Sequence, residues 1–269
     1  MPDVYATIEQ AEESVQELLA DVLELRAADL QQRAMLEDYL HHLPLSAGAR
    51  VLEIGCGTGA ITRTLAALPA VSEVVGLDPG SLFIEQARHR AQGIDGVSFL
   101  VGDGRDLPFQ EDSFDAVVCH TTLCHIPGPE HVLAEGLRVT RPGGSLAVFD
   151  GDYATTTVAI ADHDPLQACA DAAIAALVHD PLLVRRLPAL IREAGWQVDH
   201  TLSHGYLETE STQYMLTLVN RGADALAATG AVTSATAEAL KEEARQRAEA
   251  GTFFGHIAYA SVIARKPPS

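Results

Sequence analysis

The chain has 269 residues, 47% of them hydrophobic and 5% aromatic, with 18 Lys+Arg against 37 Asp+Glu and a formal net charge of −19. That composition excludes a mostly disordered chain. The charge argues against nucleic acid, whose binding relies on Lys and Arg neutralising phosphates, and against docking on an anionic membrane surface. Four scattered cysteines (Cys56, Cys119, Cys124, Cys169) make no disulfide framework. No apolar run reaches the roughly 18 to 20 residues of a membrane span, and no secretory pattern opens the chain. The expectation is a cytoplasmic protein.

Thr7 and Gln10 have capping-box spacing, and Val15, Leu18, Leu19, Val22 and Leu23 then follow the helical period. A second stripe through Leu30, Ala34, Leu36, Tyr39, Leu40 and Leu43 stops at Pro44, so 1–45 reads as N-terminal helices. From 46 the period changes. Short apolar strands at Val51–Ile54, Val74–Leu77, Val97–Val101, Phe114–Cys119 and Ser145–Phe149 alternate with amphipathic helices. This rhythm predicts βαβ units and a parallel sheet covered on both faces. Asp164-Pro165 and Asp180-Pro181 read as helix starts, Trp196–Leu202 as a strand and Ile257–Ala264 as the last strand. The helical residues 204–255 between those two strands are too many for an ordinary connection and mark an inserted cap. The expected division of a single domain, 1–269, is therefore helices at 1–45, a core at 46–203, a cap at 204–255 and a last strand and tail at 256–269.

Three strand ends carry chemistry. The first runs Glu53-Ile54-Gly55-Cys56-Gly57-Thr58-Gly59-Ala60 into a helix, and glycines there permit a tight turn and close approach of a ligand. The second ends in Asp78-Pro79, with Asp78 23 positions after Gly55, where a carboxylate can accept from ribose hydroxyls. The third ends in Gly102-Asp103-Gly104. Ligands of such sheets sit at the carboxyl ends of the strands.

The set V-L-E-I-G-C-G-T-G (51–59), G-L-D-P (76–79), G-D-G-R-D-L-P-F (102–109), S-F-D-A-V-V (113–118) and R-P-G-G (141–144) resembles the class I S-adenosylmethionine-dependent methyltransferases. The likeness is nearest to the small-molecule branch that includes the quinone-biosynthesis C-methyltransferases, and it covers residues 48–150. It implies a Rossmann-like seven-stranded α/β sheet, mostly parallel with an antiparallel last strand. It implies S-adenosyl-L-methionine as cofactor, S-adenosyl-L-homocysteine as product and methylation of a small organic acceptor at O, N or C. By residue, it places Glu53, Gly55, Cys56, Gly57 and Gly59 at the amino-acid end of the cofactor and Asp78-Pro79 at the ribose. Asp103 and Gly104 fall at the adenine, and Cys119-His120 beside the methionine.

A base is needed only if the acceptor arrives protonated. His125, Asp152 and Tyr153 are the catalytic candidates, at strand mouths that also offer His120, Asp150 and, just before the last strand, His256. Tyr206, Tyr214, Met215, Leu218, Phe253 and Phe254 are candidates to wall an apolar pocket or to form plain core. Arg33, Arg63 and Arg221 are candidate partners for a carboxylate. Cys119-His120 and Cys124-His125 are too close together for four ligands to converge, so no metal is expected. A nicotinamide-dependent Rossmann oxidoreductase and a non-catalytic cofactor-binding protein remain the alternatives, and the surface leaves room for a homodimer. The acidic balance, with Asp150 and Asp152 at the mouth, points weakly to a neutral or cationic acceptor.

Overall fold

The computed structural model describes residue 8, residues 12–209 and residues 213–268; the Thr7–Gln10 capping box lies outside them. Two helices, α1 (Glu13–Ala28) and α2 (Leu30–His41), come first. The alternating core is β1 (Ala49–Ile54), α3 (Ala60–Ala66), β2 (Val71–Asp78), α4 (Ser81–Arg90), β3 (Val97–Val101), β4 (Phe114–His120), α5 (Pro129–Val139) and β5 (Thr140–Thr157). Then follow α6 (Pro165–Leu177), α7 (Leu183–Glu193), β6 (Gln197–Glu208), α8 (Gln213–Ala228), α9 (Ser234–Glu249) and β7 (Gly255–Arg265).

The strands form one sheet in the order β3-β2-β1-β4-β5-β7-β6. β1 to β5 pair in parallel, and β7 lies antiparallel between β5 and β6, as the resemblance implies. The parallel strands are apolar throughout because helices cover both faces: Val51, Leu52, Val74, Leu77, Val117 and Val148 are all buried. The chain winds outward from β1 to β2 and β3, then returns to place β4 on the other side of β1. That reversal opens a crevice beyond the carboxyl ends of β1 and β4.

Four expectations need correction. The fifth strand does not stop at Phe149 but runs on to Thr157, because the antiparallel β7 keeps pairing beyond the level where β4 ends. Residues 204–208 belong to β6 rather than to the cap, for the same reason: Tyr206 and Leu207 pair with Ile257 and His256. Asp180-Pro181 does not open a helix directly; α7 begins at Leu183, after Asp180 has accepted from the Leu182 amide. The cap also takes in α6, which packs along α8 so closely that a Cβ on Gly222 would lie 1.7 Å from the Cys169 carbonyl oxygen.

One ion pair ties the cap to this frame. Asp164 caps α6 by accepting from the Leu166 amide, accepts from the Ile160 amide, and pairs with Arg247 of α9. Burial alone would raise its pKa, but the Arg247 bond and the two amides hold it below the ordinary carboxylate value. Breaking a buried pair strands the remaining charge. Asp164→Ala is therefore expected to cost about 3 kcal/mol in urea unfolding followed by circular dichroism. In the parent, this contribution is present above the usual carboxylate pKa and is lost as the pH falls through the lower folded value.

Candidate functional site

The turn after β1 depends on three glycines at positive φ, Gly55 (75°), Gly57 (51°) and Gly59 (74°). A Cβ on Gly55 would fall 2.2 Å from Thr122 Cγ2, and one on Gly59 would fall 2.7 Å from the Phe99 ring. The Asp78 carboxylate holds this turn in place: Oδ2 accepts from the Gly57 amide and Oδ1 from the Gly80 amide, both at 2.8 Å. Asp78 is buried, and a carboxylate oxygen can accept more than one hydrogen bond, from a ligand hydroxyl as well as from an amide.

Beside it, Glu53 is buried at the end of β1, and the Thr62 hydroxyl donates to its Oε2. Burial pushes the Glu53 carboxyl up to about 8; the Thr62 bond opposes this, the Asp78 charge adds to it and the Arg63 charge opposes it. Asp103, beyond β3, forks with Arg105 at 2.7 Å, which lowers its pKa. Both side chains are nearly half exposed, so a ligand amino group displaces or shares that pair at little cost.

These residues line one cavity of about 640 Å³, within the range of small-molecule sites. Asp78, Pro79, Asp103 and Gly104 line it, as do Glu53, Gly55, Cys56 and Gly57, together with His120 and His125. Gly59 shapes the turn without reaching the wall. Asp152 and Tyr153 do not reach the wall either. Both lie inside the extended β5, where Asp152 pairs with Arg185 at 2.9 Å and the Tyr153 ring packs edge-on against Tyr259. Asp150 is buried beneath the floor and accepts from the Cys124 and Gly151 amides. Burial raises the Asp150 pKa against the Cys124 bonds and the charge of His125, the last residue of a 3₁₀ turn at Leu123–His125.

His120 ends β4 with its ring stacked on Phe149 at 4.7 Å and its Nδ1 3.0 Å from the Tyr39 hydroxyl. Burial, helped by the Arg26 charge, pushes its pKa down to about 3, so it is a neutral imidazole. None of the four cysteines is in a disulfide and all are buried; burial pushes the Cys56 and Cys119 thiols up, so they are protonated. Among the described residues no group of three His, Cys, Asp or Glu side chains could hold a metal ion.

Sequence reasoning missed the roof. α1 lies over the glycine turn, with Leu23 Cδ1 2.7 Å from where a Gly57 Cβ would sit. Glu24 accepts from the Thr58 hydroxyl at 2.6 Å and pairs with Arg63 at 2.8 Å and Arg90 at 3.3 Å. Arg26, Gln32 and Thr121 also line the cavity. Of the arginines singled out in the sequence, Arg33 and Arg63 line it and Arg221 does not. Tyr206, Tyr214, Met215, Leu218 and Phe253 are core between cap and sheet. A helical stripe marks the buried face of α1, but nothing in its local pattern says that Glu24 meets an arginine 39 positions away.

Residues 52–148 match the methyltransferase domain family. The methyltransferase GfsG of Streptomyces halstedii is 32% identical over 163 residues, 60% of this chain and 57% of its own. The demethylmenaquinone methyltransferase of Clavibacter sepedonicus is 41% identical over 104 residues, 39% of this chain and 42% of its own. The chain thus spans about half the length of the curated relatives it matches. Among solved structures, the [4+2]-cyclase SpnF superposes with a TM-score of 0.62 at 23% identity, covering 100% of this chain and 99% of that one. At that identity the likeness shows the fold alone. The Rossmann-like sheet and the methyltransferase resemblance read from the motifs are both borne out. No described helix is long and apolar enough to cross a membrane.

The Glu24 contacts carry a consequence for the roof. Glu24→Ala is expected to speed amide hydrogen exchange across 13–28 about tenfold, the loss of roughly 1.4 kcal/mol of charge-assisted hydrogen bonding, while exchange in β1 and β4 is unchanged.

Proposed function

We propose that the whole chain, 1–269, acts as one unit that transfers a methyl group from S-adenosyl-L-methionine to a small organic acceptor at O, N or C; the match of residues 52–148 to the methyltransferase domain family supports this. The observation that carries this reading is a single roofed cavity that touches, in turn, the carboxyl ends of β3, β2, β1 and β4. Three carboxylates, Asp103, Asp78 and Glu53, stand along that line.

The residues fit the cofactor. Glu53 is a buried carboxyl with no cation close enough to hold it ionised, which suits an incoming ammonium group. The Asp78 carboxylate, on the cavity wall, suits ribose hydroxyls. The glycine turn gives a backbone surface that a ligand can approach. When bound, S-adenosylmethionine supplies an electrophilic methyl on a sulfonium, and S-adenosyl-L-homocysteine is the product.

The chain's own contribution is chiefly position. α1 closes over the turn through Leu23 and Glu24 and keeps water from the reacting groups. His120, neutral and fixed between Tyr39 and Phe149, gives the wall beside β4 an uncharged, rigid face. If the acceptor brings a proton, His125, which lines the cavity, is the candidate to take it. Asp152 and Tyr153 suit that role less, because they do not line the cavity.

The test is titration calorimetry with S-adenosylmethionine and S-adenosylhomocysteine. Asp78→Ala should weaken both by about 100-fold, as two hydrogen bonds to a charged group would. At pH 6.5 Glu53 is protonated in the free protein, and a cationic ligand lowers its pKa. Binding should therefore release close to one proton, seen as a buffer-dependent heat, and Glu53→Gln should abolish the release. Tight binding of a reduced nicotinamide cofactor, and none of S-adenosylmethionine, would overturn the reading. Labelled methyl donor and a panel of acceptors then report transfer, with His125→Ala expected to lower kcat by 10²-fold or more while cofactor affinity holds.

A further inference from the structure

The sheet order gives the cavity a direction. Asp78 and Asp103 follow β2 and β3 on one side of β1, whereas His120 ends β4 on the other. Beyond His120 rises the antiparallel wall of β5, β7 and β6, in which Tyr259 pairs opposite Gly151 of β5. α2 lies against that wall and brings Gln32 to the cavity. So Gln32 lies on the side away from the nucleotide carboxylates, where the methyl acceptor would sit.

Gln32 is unusual there. It stands in the first turn of α2, and its backbone is pinned because Asp29, the N-cap, accepts from the Gln31 and Gln32 amides. Its side chain is 5% exposed, and its Oε1 is buried with no hydrogen-bond partner among the described residues. Its only recorded side-chain contact is at the limit of a bond, Nε2 to the Tyr259 hydroxyl at 3.5 Å. A buried amide left this way is destabilising, a cost that a methionine or leucine in the same place would avoid. A ligand hydroxyl at the wall that Gln32 lines would supply the missing partner.

Its neighbours are consistent with that. Arg26 lines the same stretch of wall, donates to the Thr121 hydroxyl at 3.4 Å and stands 5.4 Å over the Tyr214 ring. Thr121 holds a φ of 49°, a conformation costly for a β-branched residue, and such strain gathers at ligand sites. Arg33 lines the cavity as well. Among the carboxylates near this end, Glu24 is held by Thr58 and Arg63 and Asp150 by two backbone amides, while Asp152 pairs with Arg185 through Oδ2 and its Oδ1 is buried without a partner among the described residues.

We infer that Gln32 recognises a hydroxyl on the methyl acceptor, with Arg26 beside it, and that the acceptor is accordingly an alcohol, phenol or enol rather than an amine. A hydroxyl both donates and accepts, so it satisfies the amide whichever way its planar end is turned, and it offers Arg26 an oxygen. An ammonium would meet the guanidinium groups of Arg26 and Arg33 on this stretch of wall. The inference rests on the methyl-transfer reading, since it takes the occupant of this end to be the acceptor.

Three probes test it: 2-naphthol, its ether 2-methoxynaphthalene and 2-(aminomethyl)naphthalene, titrated against the protein with and without S-adenosylhomocysteine. The naphthol should bind at least tenfold more tightly than the ether or the amine. Gln32→Met, close in size and without the amide, should erase that preference and leave S-adenosylhomocysteine affinity and the circular dichroism spectrum unchanged. Equal affinity for the three probes, including no measurable binding of any, overturns the inference. So does a preference that survives in Gln32→Met. A protein that fails to bind S-adenosylhomocysteine yet shows a Gln32-dependent preference for the naphthol would instead overturn the methyl-transfer reading and keep the hydroxyl assignment.

Discussion

The site depends on one buried carboxylate. Asp78 accepts from the amides of Gly57 and Gly80, which lie in the turns that follow two neighbouring strands. It therefore locks both βα turns into one rigid surface. A buried ionised group is tolerated only when such bonds satisfy it. Burial pushes the second carboxyl, Glu53, up to about 8, the Asp78 charge adds to this, and the Thr62 bond and the Arg63 charge oppose it. The roof follows from the same constraint. Leu23 can pack on Gly57 only while that turn keeps its left-handed geometry, and Arg63, which Glu24 grips, sits in the helix that the turn launches.

What the sequence made legible were the features set within about ten residues. The short β1, the glycine turn and the start of α3 are adjacent in the chain, so the local pattern suffices. Strand ends at Asp78 and Asp103 are similarly local. β5 was not legible in full, because its last eight residues are strand only by virtue of β7, more than a hundred positions away. That single error moved Asp152 and Tyr153 from a supposed mouth into a paired strand. Glu24 and Gln32 were missed for the same reason: their meaning lies in partners at Arg63 and Tyr259. On α1, Glu24 looks like one more solvated acid.

The net charge of −19 illustrates the same difference in range. It is a fair guide to partners that meet the whole surface, such as a polyanion, since those interactions sum over many groups. It is a poor guide to a small acceptor in a cavity. Exposed charges are screened beyond about 8 to 10 Å, while partly buried ones act at close quarters with little screening. The acidic balance pointed to a neutral or cationic acceptor, but the carboxylates that suggested it, Asp150 and Asp152, are turned to backbone amides and to Arg185. Arg26 and Arg33 stand on the cavity wall instead. An acidic protein thus carries guanidinium groups inside its cavity, and on the methyl-transfer reading a sulfonium there would add a further positive charge, which would favour an electron-rich oxygen over an acceptor that carries its own cation.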